Sequence, residues 1–383
     1  MRVLVLGARA PVALDHARRF AAQGWESFVA DSISCRVSGW SRAIAGVFRL
    51  PRPRYELHPF ALKLAELIER QRIDLLLPTC EEGFYVSAIR SRLPRECRVF
   101  IAPFEQMREL HSKARFLQLA GSCGLATPQS TLVDTLDGAR AWARGRPVVL
   151  KPEYSRFGVY VRIYRDGIPT NAPRLPVNGR WVAQELLHGR ELCSYTIAVD
   201  GRMTAHVVYE PTYRLRRSSS YYFELRSVPE ITTAVSKIVE ALRYTGQISF
   251  DWIEPRAGEV VPLECNPRAV SGLHLFADRD AIPDAILGNV TECIAPSCMD
   301  PAMLAPAMVL FGLPRALRSW TLPRWSADWR RARDALSRPG DFGPIPGAFA
   351  DLSAFGALAL RHACSVRAAA TRDAEWDGED LCT

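Results

Sequence analysis

Two consecutive apolar segments with charged residues set into them constrain this chain more than anything else in it. Gln247-Ile248-Ser249-Phe250-Asp251-Trp252-Ile253-Glu254 is followed after a short polar break by Val260-Val261-Pro262-Leu263-Glu264-Cys265-Asn266-Pro267-Arg268. As adjacent strands of a hairpin, these segments set Asp251 beside Glu264. On the second strand, Glu264, Asn266 and Arg268 share one face, because side chains alternate with period two. That face presents two carboxylates, an amide oxygen and a guanidinium. Hard oxygen donors of this kind suit Mg2+, which takes one or two carboxylates and completes its shell with phosphates and water. An ordinary solvent-facing strand would explain the charges but not the apolar setting, nor the use of one of only four asparagines in the chain.

The rest of the sequence divides around this hairpin. Residues 1–105 alternate strand and helix patterns: a buried-type strand at Val3–Gly7, a helix through Ala13–Gln23, a strand at Ser27–Asp31, a helix over His58–Arg70, a strand at Asp74–Pro78 and another at Arg98–Ala102. Such alternation predicts a doubly wound α/β domain, whose ligands gather at the carboxyl ends of the strands. The loop Gly7-Ala8-Arg9-Ala10-Pro11 lacks the G-x-G-x-x-G pattern, which argues against a dinucleotide site there. Residues 106–300 predict a second, two-lobed unit of α+β character. It holds a helix from Ser112 to Gly124, strands near Val148–Lys151 and Trp181–Glu185, and a run of strands from Leu192 to Cys265 broken by a helix at Ile231–Leu242. Residues 301–383 predict a helical C-terminal region.

Composition narrows the function classes. The net charge is +8, and the arginines behind it are spread along the chain rather than clustered, which argues against nucleic-acid and membrane surfaces. Of 49 cationic residues only four are lysines, Lys63, Lys113, Lys151 and Lys237, leaving 45 arginines. A chain that uses arginine wherever any cation serves draws attention to the places where it keeps a compact ammonium. Ten cysteines lack metal-ligand spacing, so zinc is not expected. The N-terminus runs directly into a strand with no leader pattern, and no apolar stretch is long enough to span a bilayer, which predicts a cytoplasmic protein with reduced thiols.

Glu264-Cys265-Asn266-Pro267-Arg268 resembles the E-x-N-P-R signature of the ATP-grasp superfamily, and Asp251 sits where that superfamily places its other metal-binding acid. Further resemblances follow in the expected order over residues 1–300. Lys113 and Lys151 resemble the two nucleotide lysines, and Gln184-Glu185-Leu186-Leu187-His188-Gly189-Arg190-Glu191 resembles the interdomain hinge. The resemblance implies a Rossmann-like N-terminal domain followed by two lobes that clasp ATP. It implies Mg2+, with Mn2+ as the alternative ion, on Asp251, Glu264 and Asn266. It implies nucleotide contacts from Lys113, Lys151, Gln184, Glu185, Leu187 and Glu191, with Arg268 on the transferring phosphate. In the superfamily the loop after the second lysine is commonly glycine-rich. Here Glu153-Tyr154-Ser155-Arg156-Phe157-Gly158 has one glycine, so Ser155 and Arg156 are the expected substitutes for backbone donors.

The reaction implied is ligation. A carboxylate attacks the γ-phosphate of ATP, and an amine then displaces phosphate from the acyl phosphate, releasing ADP. The partners expected are small-molecule carboxylates and amines, with no nucleic acid and no membrane; the oligomeric state is left open, a homodimer included. A bicarbonate-using carboxylase and a non-catalytic ATP-binding module are the alternatives. For the substrates, Glu81 and Glu82 stand at the end of an N-terminal strand. Tyr213-Arg214-Leu215-Arg216-Arg217 and the serines before Tyr221-Tyr222 are expected in a loop facing the cleft. Ser271, Gly272 and His274 follow Arg268 as candidate linings of the acceptor pocket.

Overall fold

The structure is a computed structural model that describes residues 1–155, 160–175, 179–215 and 219–381, the side chain of Arg367 apart. Its first sheet joins β1 (Arg2–Leu6), β2 (Glu26–Asp31), β3 (Gly46–Arg49), β4 (Leu75–Leu77) and β5 (Arg98–Val99), all parallel, in the order β3-β2-β1-β4-β5. The uninterrupted apolar run of β1 is explained by burial on both faces, as parallel sheets require. Val3 and Val5 enter one core with Phe20 of the helix Pro11–Ala22, while Leu4 and Leu6 enter another with Phe60 and Leu64 of the helix Leu57–Gln71.

A second sheet is antiparallel and four-stranded: β6 (Ser130–Val133), β7 (Val148–Pro152), β8 (Arg162–Tyr164) and β9 (Trp181–Glu185), in the order β6-β9-β7-β8. The third has seven strands: β10 (Arg190–Val199), β11 (Arg202–Arg214), β12 (Ser220–Arg226), β13 (Gly246–Arg256), β14 (Glu259–Asn266), β15 (Ala302–Met303) and β16 (Arg333–Asp334), in the order β14-β13-β10-β11-β12-β15-β16. Four residues, 186–189, carry the chain from the second sheet to the third. Gly189 is required there, because a Cβ would lie 2.3 Å from the Glu254 carbonyl oxygen.

Three expectations are corrected. Of the loop expected before Tyr221-Tyr222, Tyr213 and Arg214 instead end strand β11 and Ser220 begins strand β12, whose Tyr221 and Tyr222 are both buried; the alternation of β12 is masked because Tyr221, Tyr222 and Phe223 are apolar on both faces. Strands β3 and β6 were not anticipated: each has only four residues, and β3 is half exposed. The C-terminal region is not purely helical. Besides helices such as Leu322–Arg331 and Pro344–Arg361, it adds β15 and β16 to the third sheet, and residues 373–381 return without regular structure to the N-terminal sheet. Among the described residues no helix is long and apolar enough to cross a membrane.

Candidate active site

Strands β13 and β14 pair antiparallel with Asp251 opposite Glu264 and Ser249 opposite Asn266. The register then slips: Asp251 faces Glu264, but Trp252 faces Pro262, leaving Leu263 outside the ladder. A bulge of this kind re-aims the groups beside it, and the freed carbonyl of Leu263 accepts the Lys151 ammonium at 3.1 Å. Lys151 comes from β7 of the second sheet, so this contact joins the second sheet to the third beside the acids. Lys113 opens the helix Lys113–Ser122, whose N-cap hydroxyl, Ser112 Oγ, accepts the Arg115 amide at 3.2 Å. The same hydroxyl donates to Glu153 Oε1 at 2.6 Å, fixing the helix start to the end of β7. The Lys113 ammonium donates to the carbonyl of Ser155 at 2.8 Å.

Both ammonium groups are therefore buried and held by backbone oxygens, with no direct ion pair between them and the nearby acids. Burial lowers the Lys113 pKa against the pull of Glu264 and Glu81. Burial, with Lys113 as a like charge, brings Lys151 down to about 8 although Glu264 pulls it up. The acids respond in opposite senses. Asp251 is pushed up to about 7 by burial and by the adjacent Glu264. Glu264, also penalised by burial, is held below the ordinary carboxylate range by Lys113 and Lys151. Two carboxylates side by side in a low-dielectric setting do not both ionise freely, and the upward shift falls on Asp251. Cys193 donates to Asp251 Oδ1 at 3.2 Å from the neighbouring β10. On the same face Arg268 donates to Asn266 Oδ1 at 3.1 Å and lies 3.7 Å from Glu81, which is 1% exposed.

Lys113, Lys151 and the hairpin residues Asp251, Glu264, Asn266 and Arg268 thus come together from three segments far apart in sequence. Among the described residues no cluster of three or more His, Cys, Asp or Glu side chains forms a metal cage. Two carboxylates and an amide oxygen fit instead an ion such as Mg2+ whose remaining ligands are phosphates and water. The adjacent carboxylates of Asp251 and Glu264 would repel each other less with a divalent cation bound, which is the sense in which this donor set fits a metal.

Other expected site residues are placed differently. Gln184 is buried with its Oε1 lacking a hydrogen-bond partner among the described residues, at the end of β9 beside the connection. Glu185 is half-buried, and its carboxylate accepts the Gln129 amide at 2.8 Å. Glu191 is ion-paired with Arg214, so each neutralises the other. Leu187 is half-buried in the connection itself. Ser155 contributes its carbonyl to Lys113, while Arg156, Phe157 and Gly158, like Arg216 and Arg217, lie outside the described residues. Glu82 accepts the amides of Thr79 and Cys80 at 3.0 and 2.9 Å, so it secures a turn rather than receiving an amine. His274 is not in an acceptor pocket: it is 3% exposed and its Nδ1 lies 2.7 Å from Asp15 on the first helix. Ser271 begins the same short helical turn, half-buried. The bulge carbonyl of Leu263 went unread because nothing in the residue type marks it.

No protein-family model matches the chain, and no curated protein matches it in sequence. Solved structures do match in fold. N5-carboxyaminoimidazole synthetase from Staphylococcus aureus superposes with a TM-score of 0.62 at 11% identity, covering 82% of this chain and 85% of that one. The biotin carboxylase domain of 2-oxoglutarate carboxylase from Hydrogenobacter thermophilus, solved with MgADP and bicarbonate, gives 0.59 at 15% identity over 76% and 70%. L-amino acid ligase from Bacillus licheniformis gives 0.55 at 14% identity over 74% of each chain. These are ATP-grasp enzymes, and this chain has their fold.

Proposed function

We propose that this protein is an ATP-dependent ligase that activates a carboxylate as an acyl phosphate and passes the acyl group to an amine, releasing ADP and phosphate. The observation that carries the reading is the pairing of two buried ammoniums, Lys113 and Lys151, with the adjacent acids Asp251 and Glu264. Packing like charges side by side in the interior costs free energy unless a ligand of complementary charge completes them. A triphosphate with a divalent cation has that complementary pattern: anionic oxygens for the ammoniums and a cation for the carboxylates.

In this reading Lys113 and Lys151 bind the phosphate chain, and Asp251, Glu264 and Asn266 hold Mg2+, which supplies charge neutralisation to the phosphate oxygens. Gln184, with the backbone around Leu187, faces the adenine. Arg268 stands between this cluster and Glu81, so its guanidinium is positioned to bind the γ-phosphoryl group as it moves to the substrate carboxylate. The two lobes meet at the contact of Lys151 with Leu263, and closing that seam keeps water from the acyl phosphate. A likeness to L-amino acid ligase agrees with an amine acceptor.

The test is ADP release by the purified chain under Mg2+, screened over amino acids in pairs, with mass spectrometry of the products. Stimulated ADP release with a condensed product supports the ligase. Stimulation by bicarbonate alone would replace it with a carboxylase, and Mg·ATP binding without turnover under any substrate would make the chain a nucleotide-binding module.

A further inference from the structure

Ligands of doubly wound sheets bind in the crevice outside the carboxyl ends of the strands. In this protein that crevice is filled by the chain's own C-terminus. Arg9, in the loop after β1, donates to both carboxylate oxygens of Asp373, at 2.6 and 2.9 Å, while also pairing with Asp31 at the end of β2. Ser32 bonds the same Asp373 carboxylate. Arg54 lies 2.9 Å from Asp377 and 3.4 Å from Glu379. The Tyr85 hydroxyl lies 2.6 Å from the carbonyl oxygen of Glu375 and 2.9 Å from the Glu379 carboxylate, which share its one proton. What remains open beside the strand ends is a cavity of about 20 Å3, lined by residues that include Gly7, Asp31, Glu82 and Ala374, which holds no more than a single water.

The same segment reaches the nucleotide cluster. Trp376 stacks on Phe84 at 4.8 Å and meets Tyr154, in the loop after Lys151, edge-on at 5.0 Å. Its backbone amide lies 3.4 Å from Glu81, the acid next to Arg268. Three acidic side chains and a peptide backbone thus occupy a groove bounded by two arginines, a serine and a tyrosine, ending at Glu81, 3.7 Å from Arg268. The groove recognises carboxylates and main-chain peptide groups, and an extended acidic segment fills it.

We propose that this crevice is a binding site for an acceptor that carries its own carboxylate, an amino acid or short acidic peptide, and that Asp373–Leu381 is a displaceable strap occupying it in cis. The role as acceptor rests on the ligase reading; the competition between strap and carboxylate does not. Closed, the strap fills the crevice and pins Tyr154. Opened, it uncovers Arg9 and Arg54 for the ligand's carboxylate and leaves the ligand's amine toward Glu81 and Arg268.

Hydrogen exchange of the backbone amides of residues 373–381 in the full-length chain, without nucleotide, tests this. Glutamate and the dipeptide Asp-Glu bind only the open form, so at ten times the dissociation constant of either one from that open form, exchange of the segment should speed up about tenfold. Asp377→Asn, at a largely exposed position, should loosen the strap and strengthen glutamate binding. Arg54→Gln should speed basal exchange and abolish the response to glutamate. Exchange that is unchanged or slowed by millimolar glutamate and dipeptide, weaker glutamate binding in Asp377→Asn, or a response that survives Arg54→Gln would each overturn the proposal. Calorimetry of Mg·ATP on the same samples keeps the two readings apart: loss of ATP binding defeats the ligase while leaving the exchange response to stand or fall by itself.

Discussion

Two buried charged clusters in this protein are built on opposite plans. Around Asp15, every strong charge has a partner. Arg19 donates to Asp15 at 3.0 Å and spends its other nitrogens on the carbonyls of Ala277 and Phe276, both at 2.8 Å. His274 supplies the second carboxylate oxygen with a contact at 2.7 Å. Burial would raise the Asp15 carboxyl, but Arg19 and His274 outweigh it and hold it far below the ordinary range. Beside it His16 and Tyr195 both meet Gln247 of β13, at 2.7 and 2.5 Å. This cluster ties the first helix to the third sheet. Around Asp251, by contrast, like charges lie together and the ammoniums rest on neutral carbonyls. Evolved interiors pair their charges unless something else is to bind them. The first cluster ties elements of the fold together, and the second is the one proposed to bind a ligand.

That contrast can be broken by substitution. The largest expected effect is on stability: Asp15→Asn leaves Arg19 buried without its counter-charge and should cost about 3–5 kcal/mol by urea unfolding. Because the Asp15 pKa is depressed on folding, its contribution is present above the unfolded value, about 4, and lost as pH falls below it; the deficit of the variant should shrink in acid. Glu264→Gln should do the reverse, lowering ATP turnover about 100- to 1000-fold while leaving the unfolding midpoint unchanged or higher. A variant that unfolds early yet turns over normally would erase the distinction.

Smaller effects sharpen it. Lys151→Ala should weaken Mg·ATP about tenfold or more in calorimetry, and Lys151→Arg should restore little, since a planar fork does not replace a compact ammonium wedged against the Leu263 carbonyl. The weakest effect is the most diagnostic. Lys151 sits at about 8 in the free chain, and bound phosphates raise it again. Above pH 8 ATP binding therefore takes up a proton, and affinity declines by up to about tenfold per pH unit. Titrations in buffers of different ionisation enthalpy should show the uptake in the parent chain and not in Lys151→Ala; a flat profile in both would detach Lys151 from the phosphates.

How much of this the sequence disclosed follows from the range of the interactions. The pairing of Asp251 with Glu264 was legible because a hairpin is local and its period of two fixes which side chains share a face. Lys113 and Lys151 stood out through the rarity of lysine, and the start of the helix Lys113–Ser122 through Ser112 as N-cap. His274 was misplaced because its partner, Asp15, lies 259 residues away, and a lone histidine carries no mark of what it faces. Strand β12 was hidden by aromatic residues buried on both of its faces. The path of the C-terminus was beyond reach altogether: nothing in Glu375-Trp376-Asp377 indicates that the indole will stack on Phe84. Long-range contacts between short irregular segments leave no periodic trace.

The central claim is that the Asp251–Glu264 cluster receives Mg·ATP and directs the γ-phosphoryl group to a carboxylate. It is tested most directly by running the reaction with a substrate acid labelled with 18O in its carboxyl group. The account predicts ADP and inorganic phosphate as products, with one labelled oxygen carried into the phosphate, because that oxygen bridges carbon and phosphorus in the acyl phosphate. Release of AMP and pyrophosphate, or phosphate free of label, would contradict it.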